Sequence, residues 1–160
     1  MLDGFEPVIS GPKRSAERAE ARSAIMRAVK GRDTRPEMLV RRAAHALGYR
    51  FRLHRKDLPG SPDLVFPSRR KVVFVHGCFW HGHDCARGAR APKANAEYWS
   101  AKIGRNVARD ARVLVELRAL GWEPLVLWEC ELKDPAALAG RLRQHLGGSP
   151  GFSIDPGNQM

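Results

Sequence analysis

The densest chemistry in this chain lies in one stretch, Val75-His76-Gly77-Cys78-Phe79-Trp80-His81-Gly82-His83-Asp84-Cys85. It carries three histidines, two cysteines and two adjacent large aromatics. Thiolate and imidazole at such short spacing suit a tetrahedral zinc site. The third cysteine, Cys130, follows the apolar run Pro124-Leu125-Val126-Leu127-Trp128-Glu129, so a strand end can deliver it to the same loop. Three cysteines cannot pair completely as disulfides, whereas three cysteines plus one histidine make a four-ligand set that uses every thiol. Buried, inert cysteines are the plainer alternative. A structural zinc takes four ligands, so at least two of His76, His81 and His83 are left over. A spare histidine is a general acid or base candidate, because its ordinary pKa of about 6.5 lies near working pH. Phe79 and Trp80 are too apolar for a solvated loop unless they pack inward or bind something.

Other residues stand out by position. Asp63 follows Pro62 at the start of an apolar run, where it is either a hard-cation ligand or a turn aspartate. The run Lys71-Val72-Val73-Phe74-Val75 can end beside it, and the backbone carbonyl of Val75 is then a second oxygen ligand. Asp110 falls within the apolar stripe Ile103, Val107, Leu114 and Leu117 of a long helical segment. A carboxylate on a buried face needs a partner: either His76 or His81, which it would orient, or one of the many arginines. Lys102, Arg105, Asn106 and Arg109 line an adjoining face and can follow a phosphate backbone, or form an ordinary solvated face. Glu37 can reach a metal-bound water, although a capping box with Thr34 already accounts for it.

The bulk numbers bound the answer. The 160 residues suffice for one domain with a real core. Lys and Arg number 28 against 17 acids, a net charge of +11 that points to a polyanionic partner, nucleic acid above all. No apolar run approaches the roughly 18–20 residues of a membrane span, and residues 1–11 lack signal-peptide order, so a cytoplasmic place is expected. Residues 1–14 and 148–160, rich in Gly and Pro, are expected to be disordered, leaving a single domain over 15–147.

The elements that must position these groups follow from periodicity. Helices are expected over 15–30, from Thr34-Arg35-Pro36-Glu37 to Gly48, over 97–120 and over 135–146. Strands are expected over 49–54, where apolar and basic residues alternate, and over 62–66, 71–75 and 125–128. The order predicts an α/β fold with a mixed sheet flanked by helices.

Together these residues resemble the very short patch repair (Vsr) endonucleases. The likeness rests on Met26-Arg27-Ala28-Val29, on Asp33-Thr34 with Glu37, and on Leu58-Pro59-Gly60-Ser61-Pro62-Asp63. It continues in His76-Gly77-Cys78-Phe79-Trp80-His81 with His83 and Cys85, in Lys102-Ile103-Gly104 with Asn106, Arg109 and Asp110, and in Gly121-Trp122 with Trp128-Glu129-Cys130. It spans roughly residues 20–135, and the Gly-Cys-Phe-Trp-His core is its most specific part. The resemblance implies a restriction-endonuclease-like fold and an Mg²⁺-dependent nick 5′ to the T of a T:G mismatch left by 5-methylcytosine deamination. It implies Asp63 and the Val75 carbonyl as Mg²⁺ ligands, and His81 as the catalytic histidine, assisted by His76 and Glu37. It implies Cys78, His83, Cys85 and Cys130 as zinc ligands, and Phe79, Trp80 and Met26 as a wedge into the base stack. Some relatives carry threonine where this chain has Val75, a change to which a carbonyl ligand is indifferent. The acidic-x-Lys element of restriction-type nucleases is replaced by Phe74-Val75-His76, which leaves proton transfer to histidine.

Duplex DNA with a T:G mismatch is therefore the expected partner, with other mismatch-repair proteins beside it. A monomer suffices for one nick, and the enzyme would work at the nucleoid. The main rival, a restriction-type nuclease acting on paired DNA, shares the metal and the charge but has no need of a wedge; the second is a non-catalytic zinc module that binds DNA without Mg²⁺.

Overall fold

A computed structural model describes Ala21 and residues 31–148. The disordered segments expected over 1–14 and 148–160, the helix over 15–30 and Met26 lie outside the described residues, apart from Gly148, which is in a bend, and Ala21, which is helical. The chain divides into two compact units, Met1–Thr34 and Arg35–Met160. In the first, residues 31–33 form a bend.

The second unit contains α1 (Arg35–Ala46), β1 (Leu64–Phe66), a 3₁₀ turn (Pro67–Arg69), β2 (Lys71–His76), α2 (Ala96–Ala119), β3 (Glu123–Trp128), a second 3₁₀ turn (Glu129–Lys133) and α3 (Pro135–Leu146). The sheet order is β1-β2-β3, with β1 antiparallel to β2 and β2 parallel to β3. The expected mixed sheet flanked by helices is present, with three strands rather than four among the described residues.

The missing strand is the alternating segment over 49–54. It makes a single antiparallel bridge, Arg52 to Val65. Its alternation reflects one-sided burial: Tyr49 is buried, Phe51 and Leu53 pack against the same core cluster, and Arg50, Arg52 and His54 are exposed. The pairing stops where His54 takes a φ of 56°, which turns the chain out of extended geometry.

Both faces of the sheet are covered, which explains why Val72-Val73-Phe74 reads as an unbroken apolar run. On one face Val73, Leu64, Phe66 and Leu127 pack against Val40 and Ala44 of α1 and Leu138, Leu142 and Leu146 of α3. On the other, Val65, Val72 and Phe74 pack against Val113 and Leu117 of α2 and against Trp122. The stripe on α2 differs from expectation. Val113 and Leu117 are buried, but Val107 is 44% exposed, because the N-terminal half of α2 faces the Cys/His loop rather than the sheet.

α3 starts cleanly, with the Asp134 carboxylate accepting from the amides of Ala136 and Ala137 and Pro135 in the first turn. Its C-terminus meets cations and a hydroxyl: Arg69 donates to the Leu146 carbonyl at 2.6 Å, Lys71 to that of His145, and Tyr49 to that of Gly147. His145 itself is buried. Burial foremost, then the nearby Lys71, holds its imidazole below the ordinary range, while Glu123 acts the other way.

A histidine kept neutral in the folded state gains its proton near pH 6.5 only on unfolding, so stability falls as pH drops below about 6.5 and levels off beneath the folded pKa. Urea unfolding at pH 7.5 and 5.5 should therefore show a smaller acid loss for His145→Gln than for the wild type. Identical pH dependence in the two proteins would contradict this role.

Candidate active site and metal centre

The register of the parallel pair builds the site. β2 and β3 pair from Lys71↔Glu123 to His76↔Trp128. Cys78 and Cys130 each follow two residues beyond that last pair, so the strand ends bring them together. The Cys130 amide lies 3.4 Å from Cys78 Sγ, and Cys130 Sγ lies 3.5 Å from His83 Nδ1. Cys78, His83, Cys85 and Cys130 each offer one ligand atom, all within 4.8 Å of one another. A tetrahedral zinc site, with bonds of about 2.0–2.3 Å, separates its ligand atoms by roughly 3.3–3.8 Å, so small adjustments suffice to hold an ion.

The electrostatics agree. The Cys85 thiol is pulled down to about 6, foremost by the Gly88 amide and then by His83. Burial, then Cys78, pushes Cys130 up to about 12. Thiols this close ionise together only when a cation shares them. His83 is further fixed by stacking on Trp128, with ring centroids 4.3 Å apart. Arg87 donates to Glu129 at 2.7 Å and ties the loop to the 3₁₀ turn that bears Cys130.

A second group, His76, His81 and Asp110, is also close-set. Its geometry suits proton transfer rather than metal. The two imidazoles are stacked, with centroids 3.9 Å apart and planes 7° apart. A ligand nitrogen points its lone pair in the ring plane, and no point lies in both of two parallel planes. His81 Nδ1 is 2.5 Å from Asp110 Oδ2, which leaves Nε2 as the outward nitrogen. Of the two alternatives for Asp110, histidine is the close partner; Arg109 Nη2 stands off at 3.7 Å. Burial, then His81, lowers His76 to about 4.

Asp63 sits just before β1, and its Oδ2 accepts from the Val75 amide at 2.6 Å. The structure thus joins Asp63 to the backbone of Val75 and, through it, to the next residue, His76. Burial foremost raises Asp63 to about 6; the Val75 hydrogen bond and Arg41 oppose this, and Glu37 adds to it. A desolvated carboxylate with a second carboxylate near it is the situation that a hard divalent cation relieves. Glu37 is 6% exposed and pairs with Arg41, a burial that a capping role at a helix start does not account for.

Phe79 and Trp80 are half-buried and belong to neither core cluster. They pack edge to face at 5.2 Å, and Trp99 lies 6.1 Å from Phe79 and 5.6 Å from Trp80. Lys102 Nζ stands 5.5 Å from the Trp80 ring centre and 5.4 Å from that of Trp99. Asn106 donates to the Trp80 carbonyl at 2.9 Å. Lys102 and Asn106 therefore steady the loop, while Arg105 and Arg109 are exposed on α2. Trp99 was not singled out in the sequence; its position three residues before Lys102 on the same helix face was the available signal.

Two glycines let the loop lie where it does. Gly82 has φ +64°, and a Cβ there would sit 2.9 Å from Val107 Cγ2 and 3.1 Å from Ile103 Cγ2. At Gly88 a Cβ would fall 2.0 Å from the His83 carbonyl oxygen and 2.9 Å from that of Cys78. Both oxygens belong to residues of the close-set Cys/His cluster. Gly88→Ala should therefore lower both the melting temperature and the metal bound per chain. A Gly88→Ala protein with unchanged metal content and melting temperature would contradict the loop geometry.

The model of the family DNA mismatch endonuclease Vsr matches residues 17–87. The type II nicking enzyme V.XorIIP of Xanthomonas oryzae is 58% identical over 127 residues, 79% of this chain and 93% of that protein. The type II nicking enzyme V.NmeAIP of Neisseria meningitidis is 42% identical, covering 77% of this chain and 87% of that protein. The DNA mismatch endonuclease Vsr of Escherichia coli is 41% identical, covering 79% and 84%.

Proposed function

The chain belongs to the Vsr family of DNA endonucleases, and we propose that it nicks duplex DNA 5′ to the T of T:G mismatches left by 5-methylcytosine deamination. The observation that carries the reading is the content of one short loop. Between the paired ligands Cys78 and His83 lie an aromatic pair outside the core and a histidine held by a carboxylate. Wedge and base are thus fixed relative to each other by the same four ligands. The restriction-endonuclease likeness of the sheet, and a cytoplasmic place at the nucleoid, belong to this reading. No helix among the described residues is long and apolar enough to cross a membrane.

The cluster Cys78, His83, Cys85 and Cys130 would hold Zn²⁺ as a structural ion. Asp63, with the Val75 carbonyl, would hold Mg²⁺, which supplies charge neutralisation at the scissile phosphate and the leaving oxygen. His81, with Nδ1 engaged by Asp110, keeps Nε2 available to take the proton of the attacking water, and Asp110 stabilises the imidazolium that results. His76 stacks on His81 and fixes the plane of its ring, and Glu37 assists from α1. Phe79 and Trp80 enter the base stack beside the mismatch, where unstacking costs least because pairing is already poor. Met26 would join them. Arg105 and Arg109, with Lys102 and Asn106, follow the phosphates and the displaced bases.

Asp63→Ala should abolish nicking and leave DNA affinity largely intact, because the net charge of +11 still attracts phosphate. His81→Ala should slow nicking by about 10²–10⁴. Wild-type rates in either variant, in a single-turnover assay on a T:G duplex with Mg²⁺, would reject the assignment.

The wedge is tested on Phe79→Ala/Trp80→Ala. Residues outside the core should cost little stability, whereas core aromatics cost about 3–5 kcal/mol each. Lost stacking, at about 1–3 kcal/mol per base, should lower discrimination of T:G over T:A by one to two orders of magnitude. A large fall in melting temperature with selectivity retained would make the pair core residues.

A further inference from the structure

α1 carries a buried ion pair between Glu37 and Arg41. Arg41 and Glu37 are 9% and 6% exposed, lie one helical turn apart, and bring Arg41 Nη2 to 3.3 Å from Glu37 Oε2. Arg41 Nη1 also lies 3.4 Å from Met38 Sδ, so the guanidinium is held at both ends. Stability gives a poor reason for such a pair, because replacing buried ions by apolar groups of similar volume is often neutral or stabilising. The apolar packing of α1 is supplied by Val40 and Ala44. Val40, beside Arg41 in the chain, shares one core cluster with Leu64, the neighbour of Asp63, so α1 and the start of β1 form one corner, in which the Glu37 charge opposes that of Asp63 and the Arg41 charge favours it.

We infer that Arg41 is a positioning residue of the nicking site: its guanidinium holds the Glu37 carboxylate in place near Asp63 and supplies the cation that lets two carboxylates occupy that corner. The inference rests on the reading of Asp63 as the divalent-ion site. Arg41 acts through Glu37 and through its own charge. Loosening Glu37 slows the reaction. Removing a cation beside a divalent-ion site removes a repulsion, so the ion binds more tightly. Affinity and rate then move in opposite senses, which loss of packing alone does not produce.

The test uses zinc-replete wild-type protein, Arg41→Met, Glu37→Gln and the double variant. Each is titrated with Mn²⁺ alone, read by loss of the free-ion electron paramagnetic resonance signal, and assayed for single-turnover nicking at saturating Mg²⁺. Arg41→Met should bind Mn²⁺ at least threefold more tightly and nick at least tenfold more slowly. The double variant should nick no more slowly than Glu37→Gln. Arg41→Met with a lowered melting temperature but Mn²⁺ affinity and nicking rate within twofold of wild type would overturn the inference. A double variant tenfold slower than Glu37→Gln would overturn the route through Glu37. If Arg41→Met does not fold, Glu37→Gln against the double variant carries the test, since the double variant leaves no lone buried charge: equal rates with tighter Mn²⁺ support the inference, and unchanged affinity overturns it. Asp63→Ala in the same titration separates the two levels, because wild-type Mn²⁺ binding there would reject Asp63 as the ion site and the inference with it.

Discussion

Parallel pairing of β2 with β3, held to the register His76↔Trp128, is the constraint from which the rest of the site follows. A shift of one residue would turn Val73 and Leu127 away from the core face and would leave Cys78 and Cys130 out of reach of each other. The register is fixed by burial on both faces of the sheet, with α1 and α3 on one and α2 on the other. The packing that stabilises the fold thus also sets the distance between Cys78 and Cys130, the first and last residues of the Cys/His cluster.

What leaves the sheet at that point is a loop with almost no apolar core of its own. It is fastened by polar and aromatic contacts instead: the close-set side chains of Cys78, His83, Cys85 and Cys130, His83 stacked on Trp128, Asn106 on the Trp80 carbonyl, and Asp110 on His81. α2 contributes from its N-terminal half, whose side chains meet the loop, while its C-terminal half packs on the sheet. One helix therefore connects core packing to the aromatic pair. α1 makes a similar link on the other face, from Val40 and Ala44 in the core to the charges around Asp63.

Much of this was legible in the sequence because the chemistry is local. The Cys/His stretch carries three of the four residues that the fold sets close together, and the apolar runs 71–75 and 125–128 lie within strands of the structure. Asp110 stood out because a carboxylate among Ile103, Leu114 and Leu117 needed a partner, and the partner is His81. The segment over 49–54 misled because alternation reports one-sided burial, which an extended chain can satisfy with one bridge and no ladder. Val107 misled for a related reason: helical period identifies the apolar face but not whether a sheet or a loop covers it. Glu37 had two sequence readings, and its burial against Arg41 depends on how α1 packs, which no local pattern encodes. Trp99 was missed because its role arises only when the loop folds back on the start of α2.

The central claim is that the four-ligand cluster holds the loop bearing His81, Phe79 and Trp80 as one rigid piece on an independently stable sheet. Amide hydrogen exchange of metal-replete and metal-stripped protein measures this directly. Exchange over 77–88 should accelerate at least tenfold on stripping, while β2, β3 and the C-terminal half of α2 keep their protection. Equal protection of 77–88 in both forms, or loss of protection throughout the sheet, would contradict it.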